Sequence, residues 1–156
     1  MSAVNSIMHT IVPTLKHDAK VLDAAKFLAE DETGCIIILE NEKPVGIVTT
    51  MDIIKEDVNK TSKLSDPVTS VMSSPLTSMS PDMKMEEALK IVDTTQLRRY
   101  PVIKDGKLEG MITKKEIIAQ VSDNLKFHLN IQTSVLTLFV IFELFVFFYY
   151  YLPSIL

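Results

Sequence analysis

Gly46-Ile47-Val48-Thr49-Thr50-Met51-Asp52 reads as the end of a buried strand that turns directly into a helix, and it returns later in the chain as Gly110-Met111-Ile112-Thr113-Lys114-Lys115-Glu116. In both copies a threonine is followed at i+3 by an acid. That spacing is a capping box, in which the hydroxyl and the carboxylate satisfy N–H groups that the helix's first turn leaves unpaired. The same N–H groups, at the positive end of the helix dipole, also suit a phosphate. The stretch therefore supports two readings, a cap and an anion site.

Working outward, residues 6–54 lie over residues 70–118 without a gap, and eleven positions are identical, among them Met8/Met72, Asp18/Asp82, Gly46/Gly110 and Thr49/Thr113. The pattern of apolar positions is stronger evidence than the identities. Val21, Ala24, Ala25 and Leu28 fall at i, i+3, i+4 and i+7, and Met85, Ala88, Leu89 and Val92 repeat them. Each set marks one apolar helix face. Before each face comes a short apolar stretch, residues 10–15 or 76–79, then an aspartate, Asp18 or Asp82, placed as an N-cap. After each face come two apolar runs too short and β-branched for helices, residues 35–39 and 45–49, then 100–103 and 108–113. Asp105-Gly106 between the second pair is a hairpin signal. Each unit is thus β-α-β-β-α, and a unit of roughly 50 residues buries too little surface to stand comfortably alone. The expectation is an α/β (α+β) fold of two repeats sharing a core, residues 1–60 and 61–125. Polar residues 59–67 serve as the linker, and residues 126–156 form a separate hydrophobic tail.

Composition excludes several function classes. The chain has 156 residues and a net charge of −4 without a basic run, which argues against nucleic-acid binding. The single cysteine, Cys35, precedes three isoleucines and reads as a buried structural thiol in a reducing compartment. His9, His17 and His128 share no metal-ligand spacing, so no metal site is expected. No glycine-rich phosphate loop, nucleophile elbow or HExxH is present, and no catalytic residues are assigned. Met51, Met79, Met85 and Met111 fall on apolar faces and read as core.

The duplicated unit ending in Gly-apolar-apolar-Thr-x-x-acid, with Met72-Ser73, Arg99-Tyr100-Pro101-Val102 and Asp105-Gly106, resembles the cystathionine-β-synthase (CBS) domain pair, or Bateman module, over residues 4–122. The resemblance implies a non-catalytic regulatory module that binds adenine nucleotides or related adenosyl ligands (AMP, ADP, ATP or S-adenosylmethionine) between its repeats and that pairs as a homodimer. It implies that Thr49 and Thr113 lie near phosphate and that Asp52 and Glu116 hold ribose hydroxyls. Glu116 departs from the family's aspartate by one methylene. Val12-Pro13 and Leu76-Thr77 would flank the base; Tyr100-Pro101 reads first as strand-start packing, with Pro101 counted among the binding residues only as an incidental part of the wall. Residue types agree in part, because a carboxylate can accept from both hydroxyls of a diol and a phosphate wants a cation. Arg98 and Arg99 can supply that cation, whereas the first repeat has Gly34 and Cys35 there, so the two sites are expected to be unequal. A module without ligand, serving only dimerisation, is the alternative.

Of the 11 Phe and Tyr residues, eight lie between Phe139 and Tyr151, and residues 135–152 carry Glu143 as their only charge. Eighteen such residues in a helix reach about 27 Å, close to the hydrocarbon thickness of a bilayer. Tyr149, Tyr150 and Tyr151 suit an interfacial belt. The tail therefore reads as a membrane anchor with the repeats on the cytoplasmic side and a membrane protein, such as a transporter, as a candidate partner. A buried helix or a spurious extension are the competing readings.

Overall fold

The computed structural model describes residues 3–30, 34–59 and 63–151. Residues 60–62, the middle of the expected linker, lie outside the described residues, as do the side chains of Tyr149, Tyr150 and Tyr151 of the expected aromatic belt. The first repeat runs β1 (Thr14–Lys16), α1 (Val21–Glu30), β2 (Cys35–Glu40), β3 (Lys43–Thr49) and α2 (Thr50–Asn59). The second runs α3 (Met85–Thr94), β4 (Arg99–Lys104), β5 (Lys107–Thr113) and α4 (Lys114–Tyr151). The β-α-β-β-α order is as expected, except that the second repeat's opening strand is reduced to one parallel bridge, Met79 to Val102.

β2 pairs parallel with β1 and antiparallel with β3, and β4 pairs antiparallel with β5. Both hairpins turn through left-handed residues, Asn41 and Glu42 (φ 49° and 63°) and Asp105 and Gly106 (φ 50° and 76°). Two consecutive positive φ values give a turn whose twist matches that of the strands it joins. Each hairpin also carries a register shift, after Ile38 in β2 and after Val102 in β4, the residues that pair with Gly46 and Gly110.

The sheets are completed by an exchange that the repeat pattern does not reveal. Ahead of the first repeat, Val4–Ser6 forms one 3-10 turn, and its N–H groups reach the second repeat: Val4 N donates to Met83 O and Asn5 N to Pro81 O, both at 2.9 Å. His9 then pairs with Met111 of β5 through both backbone bonds, each 2.8 Å. Symmetrically, Val68–Ser70 reaches the first repeat, where Val68 N donates to Ala19 O at 2.7 Å and Ser73 pairs with Ile47 of β3. Each repeat thus lends its leading segment to the other's sheet.

The core follows from the helix faces and strand alternation. Val21, Ala24 and Leu28 of α1 pack with Ile36, Ile38 and Val48, and the cluster includes Val68 and Val71 from the exchanged segment. Cys35 and Ile37 point to the opposite face of β2, where they meet Met111. A strand buried on both sides explains the unbroken Cys-Ile-Ile-Ile run. In the second repeat Met85, Ala88, Val92, Tyr100, Val102, Ile112 and Ile117 are all fully enclosed, together with Val4.

Two expectations are corrected. Asp18 and Asp82 do not cap the helices: α1 begins at Val21, with Asp23 accepting from Lys20 N at 3.1 Å, and α3 is preceded by Lys84 without a side-chain cap. Asp82 pairs with Lys104 at 3.0 Å instead. Met51 is exposed, because α2 starts at Thr50 and turns its first residues outward; Met79, Met85 and Met111 are core.

By contact density the chain forms two compact units, Met1–Ile117 and Ile118–Leu156. The second is helical through Tyr151 and has the length and composition to cross a membrane. Within it, the hydroxyls of Thr133, Ser134 and Thr137 each donate to the carbonyl four residues back, at 2.8–2.9 Å. Among the described residues no group of His, Cys, Asp and Glu could hold a metal ion.

Candidate functional site

Both copies of the signature form capping boxes. At α2, Asp52 Oδ2 accepts from Thr49 N (2.8 Å) and from Thr49 Oγ1 (2.7 Å), and Asp52 N donates to Thr49 Oγ1 (3.3 Å). At α4, Glu116 Oε2 accepts from Thr113 N (2.8 Å) and Glu116 N donates to Thr113 Oγ1 (3.3 Å). Each helix start is also tied to the residue before the neighbouring hairpin, Thr50 N to Gly34 O and Lys114 N to Arg98 O.

The glycine of each signature makes room for the exchanged segment. A Cβ on Gly110 would lie 2.6 Å from His9 O, and one on Gly46 would lie 2.4 Å from Met72 Sδ. The residues that precede the threonines are thus set by packing, and the threonines inherit their position.

The repeats border a cleft of about 540 Å³ lined by Val12 and Pro13 from the first repeat and by Arg99 and Thr113 from the second, with His9, Cys35 and Met111. That volume lies within the usual range for small-molecule sites, roughly 300–1,000 Å³. Arg99 enters from the start of β4 and runs beside Gly34, where an added Cβ would meet its guanidinium nitrogen at 3.4 Å. Gly34 itself is left-handed, at φ +61°. Four expected residues therefore share a single cavity. Glu116 borders it through its hydrogen bond to His9, which lines the cleft.

The other expected residues are elsewhere. Pro101 is buried within β4, opposite Met111, and its carbonyl accepts from Met79 N, so it is packed in the sheet and not in the cleft wall. Arg98 is exposed, with its carbonyl used by Lys114 N. Leu76 is half-buried and Thr77 exposed, and neither lines the cleft of Thr113, nor do Thr49 and Asp52. Arg99 of the second repeat and Val12 and Pro13 of the first thus line one cleft, a juxtaposition that needed the third dimension.

Sequence reasoning missed His9. Its Nε2 lies 2.6 Å from Glu116 Oε1, from a segment that appears in the sequence as part of the other repeat. Burial acts to raise the Glu116 pKa, but the hydrogen bonds from Thr113 N, His9 and the Thr113 hydroxyl together outweigh it and hold the carboxyl below its ordinary value.

Comparison with known proteins gives the family and the fold. The CBS domain matches residues 4–59 and again residues 68–123. The CBS domain-containing protein YhcV of Bacillus subtilis is 27% identical over 124 residues, covering 80% of this chain and 89% of YhcV. The CBS domain pair of protein MJ0100, solved in complex with 5′-methylthioadenosine and S-adenosyl-L-methionine, superposes with a TM-score of 0.68 at 20% identity, over 79% of this chain and 97% of that one. The cystathionine beta-synthase pair domain of SO5017 from Shewanella oneidensis gives 0.67 at 22% identity, over 80% of this chain and 72% of that one.

Proposed function

This chain belongs to the CBS domain family, and from that premise we propose that it is a non-catalytic regulatory module which binds an adenine nucleotide or adenosyl ligand between its repeats. The observation that carries the reading is the cleft itself, where Val12 and Pro13 of one repeat face Arg99 and Thr113 of the other. An apolar pair suits a base. A guanidinium beside helix-terminal N–H groups suits a phosphate, and a carboxylate suits a diol. A ligand spanning the cleft contacts both repeats and biases their relative arrangement, or that of a homodimer, by the difference in its affinity for the two arrangements. MJ0100, which shares the fold, was solved with adenosyl ligands.

The tail completes the proposal as a membrane tether that keeps the repeats on the cytoplasmic face near a membrane partner such as a transporter. Its support is the apolar composition of α4 and the three hydroxyls satisfied within the helix. Thr49, Asp52, Leu76 and Thr77 form a second, weaker site in this reading, without an arginine.

The test is calorimetric titration of the full chain, in detergent, with AMP, ADP, ATP and S-adenosylmethionine. Saturable binding that Arg99→Ala abolishes is the expected result. No heat from any of the four at millimolar concentration overturns the nucleotide reading. One observation favours the alternative of a dimerisation module without ligand: Asp52 and Glu116 are both already engaged as caps. That reading expects Thr113→Ala with Glu116→Ala to lower stability by about 1–2 kcal/mol for the lost cap and to leave partner binding intact.

A further inference from the structure

The two repeats differ at a pair of places that the exchange brings together. Where the first repeat has Asp52, the second has Glu116; where the segment crossing to the first sheet has Ser73, the segment crossing to the second has His9. In sequence these are unrelated differences. In the fold they touch, through His9 Nε2 and Glu116 Oε1 at 2.6 Å.

Geometry explains why they occur together. Asp52 uses one oxygen, Oδ2, for both Thr49 contacts. The longer Glu116 splits its oxygens: Oε2 takes Thr113 N while Oε1 faces His9. The imidazole is well placed to hold there, because the His9 backbone is fixed to Met111 by two hydrogen bonds and closes against Gly110. The side chain itself is 64% exposed and can swing away without disturbing that pairing.

We infer that His9 is a specificity-determining residue of the cleft: its imidazole sits on Glu116 Oε1, the oxygen that the cap leaves over, so a ribose hydroxyl that reaches this oxygen competes with the imidazole for it. The inference rests on the proposed nucleotide-binding function. A ligand lacking one hydroxyl of the diol has less to gain by the exchange and leaves the His9–Glu116 bond in place. His9 thereby lowers the preference of this cleft for ribose over deoxyribose, while the first repeat, with Ser73 and Asp52, has no such competitor.

The experiment measures binding of AMP and 2′-deoxy-AMP to the full chain, to His9→Ala and to His9→Gln, whose amide N–H keeps a donor near Glu116. Loss of one competing hydrogen bond is expected to tighten AMP binding to His9→Ala about five- to tenfold. Affinity for 2′-deoxy-AMP should stay unchanged, and His9→Gln should return AMP affinity toward that of the unaltered chain. If His9→Ala weakens AMP, changes both nucleotides equally or changes neither, His9 does not compete for the diol, although nucleotide binding stands. If no nucleotide binds any of the three proteins, the nucleotide reading fails and this inference falls with it.

Discussion

Single residues decide how close the exchanged segments can come. Gly110 faces a backbone carbonyl, His9 O, and Gly46 faces the flexible end of Met72. A methyl group at Gly110 can be relieved only by moving β5 or the N-terminal segment, whereas Met72 can rotate. Gly110→Ala is therefore expected to cost about 2–3 kcal/mol and Gly46→Ala about 1 kcal/mol, read from urea unfolding. Equal effects would mean that the backbone contact is not the constraint. Glu42 presents the opposite case, a side-chain-bearing residue held at φ 63° in the β2–β3 turn. The second hairpin places Gly106 at the matching position, and Glu42→Gly should stabilise the chain by about 1 kcal/mol in the same assay. Glu116 sets a pH dependence. Its folded pKa lies below the ordinary value of 4.5, so its contribution is fully present above that pH and is lost as pH falls through the folded value. Glu116→Gln keeps an acceptor for Thr113 N but removes the charge at the helix N-terminus, and should lower stability near neutral pH by about 0.5–1 kcal/mol. The gap from the unaltered chain should close on acidification below pH 4.5; a gap that persists would assign the loss to packing.

Among the elements, the exchanged segments carry more weight than their length suggests. Val4 and Val68 each stand alone in a 3-10 turn, and both are fully buried in the other repeat's domain of the fold. Val4→Ala should cost about 2 kcal/mol although it lies near the chain terminus. The amide of Met111, which donates to His9 O, should exchange faster with solvent in that variant if the segment's docking loosens as a unit. Unchanged exchange at Met111 would show that the turn and the strand bridge hold independently. The repeat units, the helix faces and the hairpins were legible because they are local: Val21, Ala24 and Leu28 sit within two turns, and Asp105-Gly106 names its own turn. Both signature threonines were legible for the same reason, since a capping box spans four residues. The exchange was not legible, because His9 with Met111 and Ser73 with Ile47 are strand pairs between distant segments with no charge or spacing signal. The cleft inherited that difficulty: Val12, Pro13, Arg99 and Thr113 were each marked, but nothing in the sequence paired Val12 and Pro13 with Arg99 and Thr113, which line one cleft in the fold. Asp18 and Asp82 misled because an aspartate before an apolar face is a common cap, and here the helices start three residues later.

At the scale of the whole molecule, the repeats and the tail call for different surroundings. The first compact unit has an apolar core, and among its described residues no charged side chain is wholly buried, although Glu86 Oε2 is. The second is a helix whose leucine, valine, isoleucine and phenylalanine side chains from Val135 to Phe147 are largely exposed, which in water would form an apolar surface of the kind that soluble proteins cover. A bilayer would cover it, and the internal hydroxyl bonds of Thr133, Ser134 and Thr137 leave those groups with no need of water. Glu143 is then the one charged residue of the span, and a partner helix that pairs with it would offset its cost. If the tail spans, the full chain expressed in bacteria should remain in the membrane fraction after an alkaline carbonate wash that strips peripheral proteins. Placing two charges near the middle of the span, with Leu138→Asp and Phe142→Asp, should add about 5–7 kcal/mol to its insertion cost and move the chain into the soluble or aggregated fractions. Release of the unaltered chain by carbonate would instead assign the tail to a helix–helix interface between copies. In that case cross-linking should capture oligomers whose formation the same two substitutions abolish, and the membrane would play no part in how the module works.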